Sequence, residues 1–133
     1  MNEKQRAEMF AWADLHRSCA VCHWPESDGR RRLEVHHLVG GANRHKAHTP
    51  RAYLTLCNRC HGVYHSGKVV ANTPDLTLAI LLEAKRESDP ELYDPQFLAE
   101  LKNKKHLGVD PEPIPEFYMK ERERNLTWSK RNP

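Results

Sequence analysis

The sequence lacks long apolar runs. None of its stretches approaches the roughly 20 apolar residues that a helix needs to cross a bilayer. The opening residues 1–6 are charged and lack the apolar centre of a signal peptide. We therefore expect an intracellular, cytoplasmic protein with no membrane partner.

The chain also has little apolar material and little net charge. Of its 133 residues, 38% are hydrophobic and 29% are charged, and the formal net charge is only +3. This composition predicts one small domain whose thin core needs a metal or a disulfide to stabilise it. Such a mild charge does not by itself indicate nucleic acid, so the local distribution of charge has to decide.

The cysteines are few but regularly spaced. Cys19 and Cys22 form one Cys-x-x-Cys pair, and Cys57 and Cys60 form another. In a reducing compartment, two such pairs predict a four-thiolate structural zinc site. Two alternatives are four unrelated buried cysteines and a redox motif, although no thioredoxin-like βαβ pattern surrounds either pair.

Histidine is abundant, with nine residues in the chain. His36 and His37 end an apolar, strand-like run, so their side chains point to opposite faces. His61 and His65 are four residues apart on a short helical segment and share a face. One of the first two could complete a three-imidazole metal site with the helical pair. The alternative is that these are surface histidines, the reading that we adopt for His23, His45 and His48.

The patterning predicts helices and strands in a mixed order. We expect helices over residues 2–16, 58–66, 73–87, from 94 onward and 116–125, and strands over residues 32–38 and 53–56. An apolar stripe of Ala7, Phe10, Ala11 and Leu15 predicts that the first helix covers the central unit. Residues 111–115 read as a Pro-containing linker and residues 127–133 as a loose tail.

These features divide the chain into four predicted parts. An N-terminal helix (residues 1–18) precedes a metal-centred core (residues 19–70). A helical extension (residues 71–110) and a Pro-containing linker with a charged tail (residues 111–133) follow. The helices after residue 73 mix Glu and Lys, which predicts packing or docking of a protein partner. The oligomeric state stays open.

The run Cys-x-x-Cys, strand, His-His, then Leu-Cys-x-x-Cys-His-x-x-x-His resembles the HNH endonuclease family, in its four-Cys zinc subtype, which is common among phage nucleases. The resemblance covers Cys19 to Ser66. It implies an α+β fold with a small ββα-metal (His-Me finger) core and flanking helices. The histidine spacing is also similar to that of colicin-type DNases, and a phage-encoded protein in a bacterial host would fit.

The resemblance also implies a role for each histidine. His37 would be the general base that activates water, and His36, His61 and His65 would hold one divalent cation. Imidazole ligands favour Mn²⁺, Ni²⁺, Co²⁺ or Zn²⁺ over Mg²⁺. The position of the family's central Asn is Ala52 here, so we expect Asn43 or Arg51 to take over the orienting contact, or a slow enzyme.

Basic residues cluster around this stretch, where Glu34 is the only acid between residues 30 and 68. The candidate DNA-binding residues are Arg30, Arg31, Arg32, Arg44, Lys46, Arg51, Arg59 and Lys68. Such charges bind phosphate without reading sequence, and the alternative is a solubilising surface. No base-reading element is evident, which predicts weak sequence preference on double-stranded DNA.

Two functions remain in competition. The first is a metal-dependent DNA endonuclease that nicks or cuts duplex DNA. The second is a catalytically weak or inactive, zinc-stabilised DNA-binding module, which Ala52 favours and the intact set of histidines opposes. A toxin-type nuclease with an inhibitor has no support beyond the histidine spacing.

Overall fold

A computed structural model describes residues 1–39, 46–66, 72–101 and 110–132 of the chain. It is a small α+β structure whose described residues form five α-helices and one antiparallel sheet of two strands. The elements are α1 (Glu3–Asp14), β1 (Leu33–His37), β2 (Tyr53–Cys57), α2 (Asn58–Ser66), α3 (Leu78–Ser88), α4 (Pro95–Leu101) and α5 (Glu116–Arg131).

The central unit consists of β1, β2 and α2. The strands pair from Leu33 opposite Cys57 to His37 opposite Tyr53. All five residues of β2 are buried, as expected for an apolar strand covered on both faces, whereas β1 is mostly half-buried. α2 begins at Asn58, directly after β2, and packs on both strands. The sequence therefore predicted these three elements to within a residue.

α1 contacts the rest of the protein through a face that the sequence analysis did not select. The predicted apolar stripe is wrong, because Phe10 and Leu15 are 58% and 80% exposed. Trp12 is buried instead, and its indole N–H donates to the carboxylate of Asp89 at 3.0 Å. The buried Lys85 ammonium also contacts Asp89, at 2.5 Å, and donates to the Pro50 carbonyl. The buried carboxylate of Asp89, at the end of α3, thus joins α1 to α3.

Two predicted helix boundaries are also wrong. α3 begins at Leu78, because the side chain of Thr77 caps it by accepting the N–H of Ile80, whereas the sequence favoured a cap at Thr73. α5 continues to Arg131, through residues predicted to be a loose tail. α4 begins at Pro95, as predicted, and residues 111–115 are non-helical. The sequence also predicts that Gly40 and Gly41 end the first strand, and these two residues lie outside the described residues.

Candidate metal centres

The four cysteines meet at one point beside the sheet. Cys19 and Cys22 lie in the turn after α1, Cys57 ends β2, and Cys60 lies in the first turn of α2. Their sulfurs lie within 4.8 Å of one another, and all four residues are buried and free of disulfides. We call this group the sulfur cluster. It could hold a structural zinc ion.

The geometry and charge of the sulfur cluster fit that ion. Sulfurs about 2.3 Å from a tetrahedral zinc lie about 3.8 Å apart, and the Cys22 and Cys57 sulfurs are 3.8 Å apart. Burial raises the pKa of the Cys19 thiol, so its thiolate needs a cation nearby. The guanidinium of Arg31 lies 3.9 Å from both the Cys22 and Cys57 sulfurs.

Three imidazoles meet at a second point. His36 lies on β1, and His61 and His65 lie one turn apart on α2. Nε2 of His61 is 3.2 Å from Nδ1 of His36 and 2.9 Å from Nε2 of His65. Ring nitrogens bound at right angles to one ion at about 2.1 Å lie about 3 Å apart. This group, the imidazole cluster, could hold a metal ion, and His65 is its exposed member.

His36 is suited to bind a cation rather than a proton. Its burial, together with the neighbouring imidazoles of His61, His65 and His37, lowers its pKa to about 3. It is therefore neutral near pH 7, and a neutral ring is the form that coordinates metals.

Glu34 supports the imidazole cluster, although the sequence analysis counted it only as an acid. Its carboxylate lies 3.2 Å from Nδ1 of His61, while Nε2 of that ring faces the other two histidines. A carboxylate that accepts the Nδ1–H fixes the tautomer and leaves the Nε2 lone pair toward a metal. The missed signal was the spacing, because Glu34 lies two residues before His36 and so shares its face of β1.

His37 is next to His36 on β1 but is not a member of the imidazole cluster, as strand alternation predicts. Its Nε2 lies 3.2 Å from Nδ1 of His48, and the ring of Tyr53 packs edge-on 5.1 Å away. His48 is half-buried, not the surface residue that the sequence suggested. The sequence could not predict this contact, because His48 lies in a loop, where no periodic pattern indicates which residues meet.

Ala52 is fully buried and makes only backbone hydrogen bonds here. Its carbonyl accepts the N–H of Leu38, and its own N–H donates to Thr49. Arg51 pairs with Asp94 at 3.3 Å, which directs its guanidinium toward α4. Asn43 lies outside the described residues. Among the described residues, His48 is one whose polar side chain contacts His37.

The candidate DNA-binding residues lie in different environments. Arg32 and Lys46 are exposed, and the Arg32 guanidinium lies 3.6 Å from the Glu34 carboxylate. Arg30 is exposed but pairs with Asp28. Arg44 and Lys68 lie outside the described residues. The role of this surface in DNA binding stays a prediction.

Arg31 and Arg59 are directed toward sulfur instead. The Arg31 guanidinium stacks 3.9 Å from the Trp24 ring centroid, next to the sulfur cluster. Arg59 donates to the Cys60 sulfur at 3.6 Å and pairs with Glu121 of α5. Burial acts to lower the pKa of Arg59, but Glu121 outweighs it and raises that pKa, so the guanidinium stays charged.

No helix within the described residues is long and apolar enough to cross a membrane. Comparison with protein-family models, curated proteins and solved structures gave no match to this chain.

Proposed function

We propose that this protein is a metal-dependent endonuclease with a ββα-metal core that hydrolyses phosphodiester bonds in double-stranded DNA. The observation that carries the proposal is the convergence of three imidazole nitrogens on one point beside the exposed His65, with His37 on the adjacent position of the same strand as His36. The sulfur cluster would hold a structural zinc, which would fix the end of β2 to the start of α2.

The residues divide the work of hydrolysis. His36, His61 and His65 would hold a divalent ion, which supplies charge stabilisation at the phosphate when bound. His37 accepts a proton from water as the water oxygen bonds to phosphorus and the bond to the 3′ oxygen breaks, and the departing 3′ oxygen takes a proton from solvent. The products carry 5′-phosphate and 3′-hydroxyl ends, as in the family that the sequence resembles.

Duplex DNA is held mainly through its phosphates. Arg32 and Lys46 are accessible cations, and Arg30 shares its charge with Asp28. Phosphate contacts position the backbone without reading bases, so cleavage has little sequence preference. Affinity falls steeply as salt rises.

A second candidate function is a zinc-stabilised DNA-binding module that does not cleave. The observation that favours it is Ala52, whose buried methyl group supplies no polar contact to the site. The carboxylate behind His61 opposes it, because a support for a metal ligand has no use in a module without the metal.

A plasmid-nicking assay separates the two functions. Supercoiled DNA is incubated with Mn²⁺, Ni²⁺, Co²⁺, Zn²⁺ or Mg²⁺ and either the wild type, His37→Ala or His23→Asn. His23 is an exposed histidine outside both clusters, and Asn tolerates its backbone φ of 61°. We expect nicking by the wild type and His23→Asn, and a loss of about 100-fold or more in His37→Ala. Equal nicking by all three proteins would remove His37 from its role as the base, and no nicking with any ion would overturn the nuclease in favour of the binding module.

A further inference from the structure

The C-terminal helix α5 contacts the sulfur cluster through an unusual inward face. Tyr118, Glu121, Arg122 and Asn125 recur at the spacing of one helix face, and the first three are buried. Three of these four side chains are polar, so this face is not a simple apolar stripe. Its contacts show what the polar groups do.

Two of these side chains bond to the backbone of the turn at residues 19–22. Arg122 donates Nε–H to the Val21 carbonyl at 2.7 Å and Nη2–H to the Ala20 carbonyl at 3.1 Å. Asn125 donates its amide N–H to the Cys22 carbonyl at 2.8 Å. The side chains of α5 thus hydrogen-bond to three consecutive backbone carbonyls, those of Ala20, Val21 and Cys22.

The guanidinium that makes these bonds is itself held in place. Arg122 is only 8% exposed, and its Nη1–H donates to Glu87 of α3 at 2.9 Å. Because the planar guanidinium is held by Glu87, its other N–H groups hold the Val21 and Ala20 carbonyls in one fixed geometry. Glu121, the residue before Arg122, pairs with Arg59. The Arg59 guanidinium in turn donates to the Cys60 sulfur. α5 therefore contacts the turn of the first two cysteines directly and the Cys60 sulfur through Arg59.

We propose that α5 is a clasp that retains the structural zinc, with Arg122 and Asn125 as positioning residues for the first pair of cysteine ligands. The inference rests on the zinc ion of the proposed function and is independent of DNA cleavage. The three bonded carbonyls fix the turn in the conformation that aims Cys19 and Cys22 at the ion. Release of zinc requires that turn to open, and opening it breaks the contacts with α5.

Electrostatics acts in the same direction. A zinc ion with four thiolates keeps net negative charge, and the buried guanidinium of Arg122 lies against the turn that carries two of those thiolates. Loss of outer contacts of this kind lowers metal affinity about 10- to 100-fold. Coupling is reciprocal, so the bound ion also stabilises the docked α5.

The test measures zinc release from the full chain without DNA. Zinc-loaded protein is mixed with a chromophoric chelator, and the release rate is compared between the wild type, Arg122→Ala, Asn125→Ala and Arg124→Ala. Arg124 lies on the same helix but is exposed, so it is the matched control. We expect release about tenfold faster or more in Arg122→Ala, a smaller acceleration in Asn125→Ala, and the wild-type rate in Arg124→Ala.

A second comparison separates the clasp from general destabilisation. Trp12→Ala removes a buried side chain that contacts Asp89 and Tyr53. Co²⁺-substituted protein reports the thiolate geometry by its charge-transfer bands. We expect altered cobalt bands in Arg122→Ala and Asn125→Ala, with unaltered bands in Trp12→Ala. Arg122→Lys, which keeps the charge but loses the fork, should recover only part of the wild-type release rate.

The outcomes are distinguishable. A wild type that contains no zinc on metal analysis would overturn the ion and the clasp with it. A zinc-containing wild type whose Arg122→Ala variant releases zinc at the Arg124→Ala rate would overturn the clasp alone. If Arg122→Ala does not fold, Asn125→Ala decides, and cobalt bands and release identical to those of Arg124→Ala would overturn the clasp.

Discussion

At the scale of single residues, the candidate site depends on two side chains that support others. Glu34 orients His61 toward the imidazole cluster, and His48 contacts His37. The sequence predicted the ligands themselves, because cysteine and histidine spacings follow from coordination chemistry. It could not predict these supports, because a glutamate on a strand and a histidine in a loop have many common uses.

Loss of the Glu34 carboxylate should weaken metal binding at the imidazole cluster. We expect Glu34→Ala to lower the affinity for Ni²⁺ or Mn²⁺ about 10- to 100-fold, because the His61 ring loses its fixed tautomer and orientation. Calorimetric titration measures this. Glu26→Ala is the control, since that carboxylate pairs with Arg17 at the surface. An unchanged affinity in Glu34→Ala would show that the 3.2 Å contact has no role in binding.

The contact between His48 and His37 should matter for turnover more than for binding. We expect His48→Ala to lower kcat for plasmid nicking about 100-fold with KM nearly unchanged, because a displaced base loses its alignment. His48→Asn should keep much of the rate, since its amide can still hydrogen-bond to the ring. If His48→Ala cleaves at the wild-type rate, His37 is positioned by other groups.

At the scale of elements, the three consecutive arginines before β1 show how one basic run is divided. Arg30 pairs with Asp28, Arg31 stacks on Trp24 against the sulfurs, and Arg32 extends from the start of the strand toward Glu34. The sequence could not separate them, because adjacent identical residues carry identical propensities. Their burial and partners are set by the fold alone.

This division predicts opposite effects of neighbouring substitutions. Arg31→Ala should speed zinc release about tenfold, because its donors lie 3.9 Å from two sulfurs. It should change DNA affinity little. Arg32→Ala should weaken DNA binding and reduce its salt dependence while leaving zinc release unchanged. Chelator competition and fluorescence anisotropy at several salt concentrations measure the two effects. Two variants with the same profile in both assays would contradict the division.

The attachment of α1 gives a second test at this scale. Trp12 is buried and hydrogen-bonded to Asp89, whereas Phe10 is exposed. We expect Trp12→Ala to lower the free energy of unfolding by about 3–5 kcal/mol and Phe10→Ala by less than about 0.5 kcal/mol. Urea denaturation measures both. A larger loss of unfolding free energy in Phe10→Ala than in Trp12→Ala would support the apolar stripe that the sequence suggested.

The accuracy of the sequence analysis varied with the kind of element. β1, β2 and α2 were predictable because alternation, an apolar run and metal-ligand spacing agree there. The start of α3 was not, because Thr73-Pro74 and Thr77 are both good caps and tertiary packing selected the second. The end of α5 was missed because residues 126–131 are mostly polar and mostly exposed, so no apolar periodicity marks them as helical.

At the scale of the whole molecule, the sulfur cluster joins segments that are distant along the chain. The turn at residues 19–22, the end of β2, the start of α2 and the face of α5 all meet around it. Two strands alone cannot form an independently stable sheet. The zinc ion is therefore expected to contribute folding free energy to the entire central unit.

Removal of zinc should accordingly unfold the central unit rather than one loop. We expect a strong chelator to abolish the cooperative thermal transition seen by circular dichroism, and added zinc to restore it. Protein with Cys57→Ser should behave like the chelated wild type. A chelated wild type that keeps its transition would show that the sulfur cluster contributes little to folding.

The most direct test of the account is a zinc-edge anomalous map from crystals of the full chain grown with excess zinc. The account predicts two peaks, one among the sulfurs of Cys19, Cys22, Cys57 and Cys60, and one within about 2.1 Å of ring nitrogens of His36, His61 and His65. A map with a peak at the sulfurs but none among the three imidazoles would contradict the nuclease site.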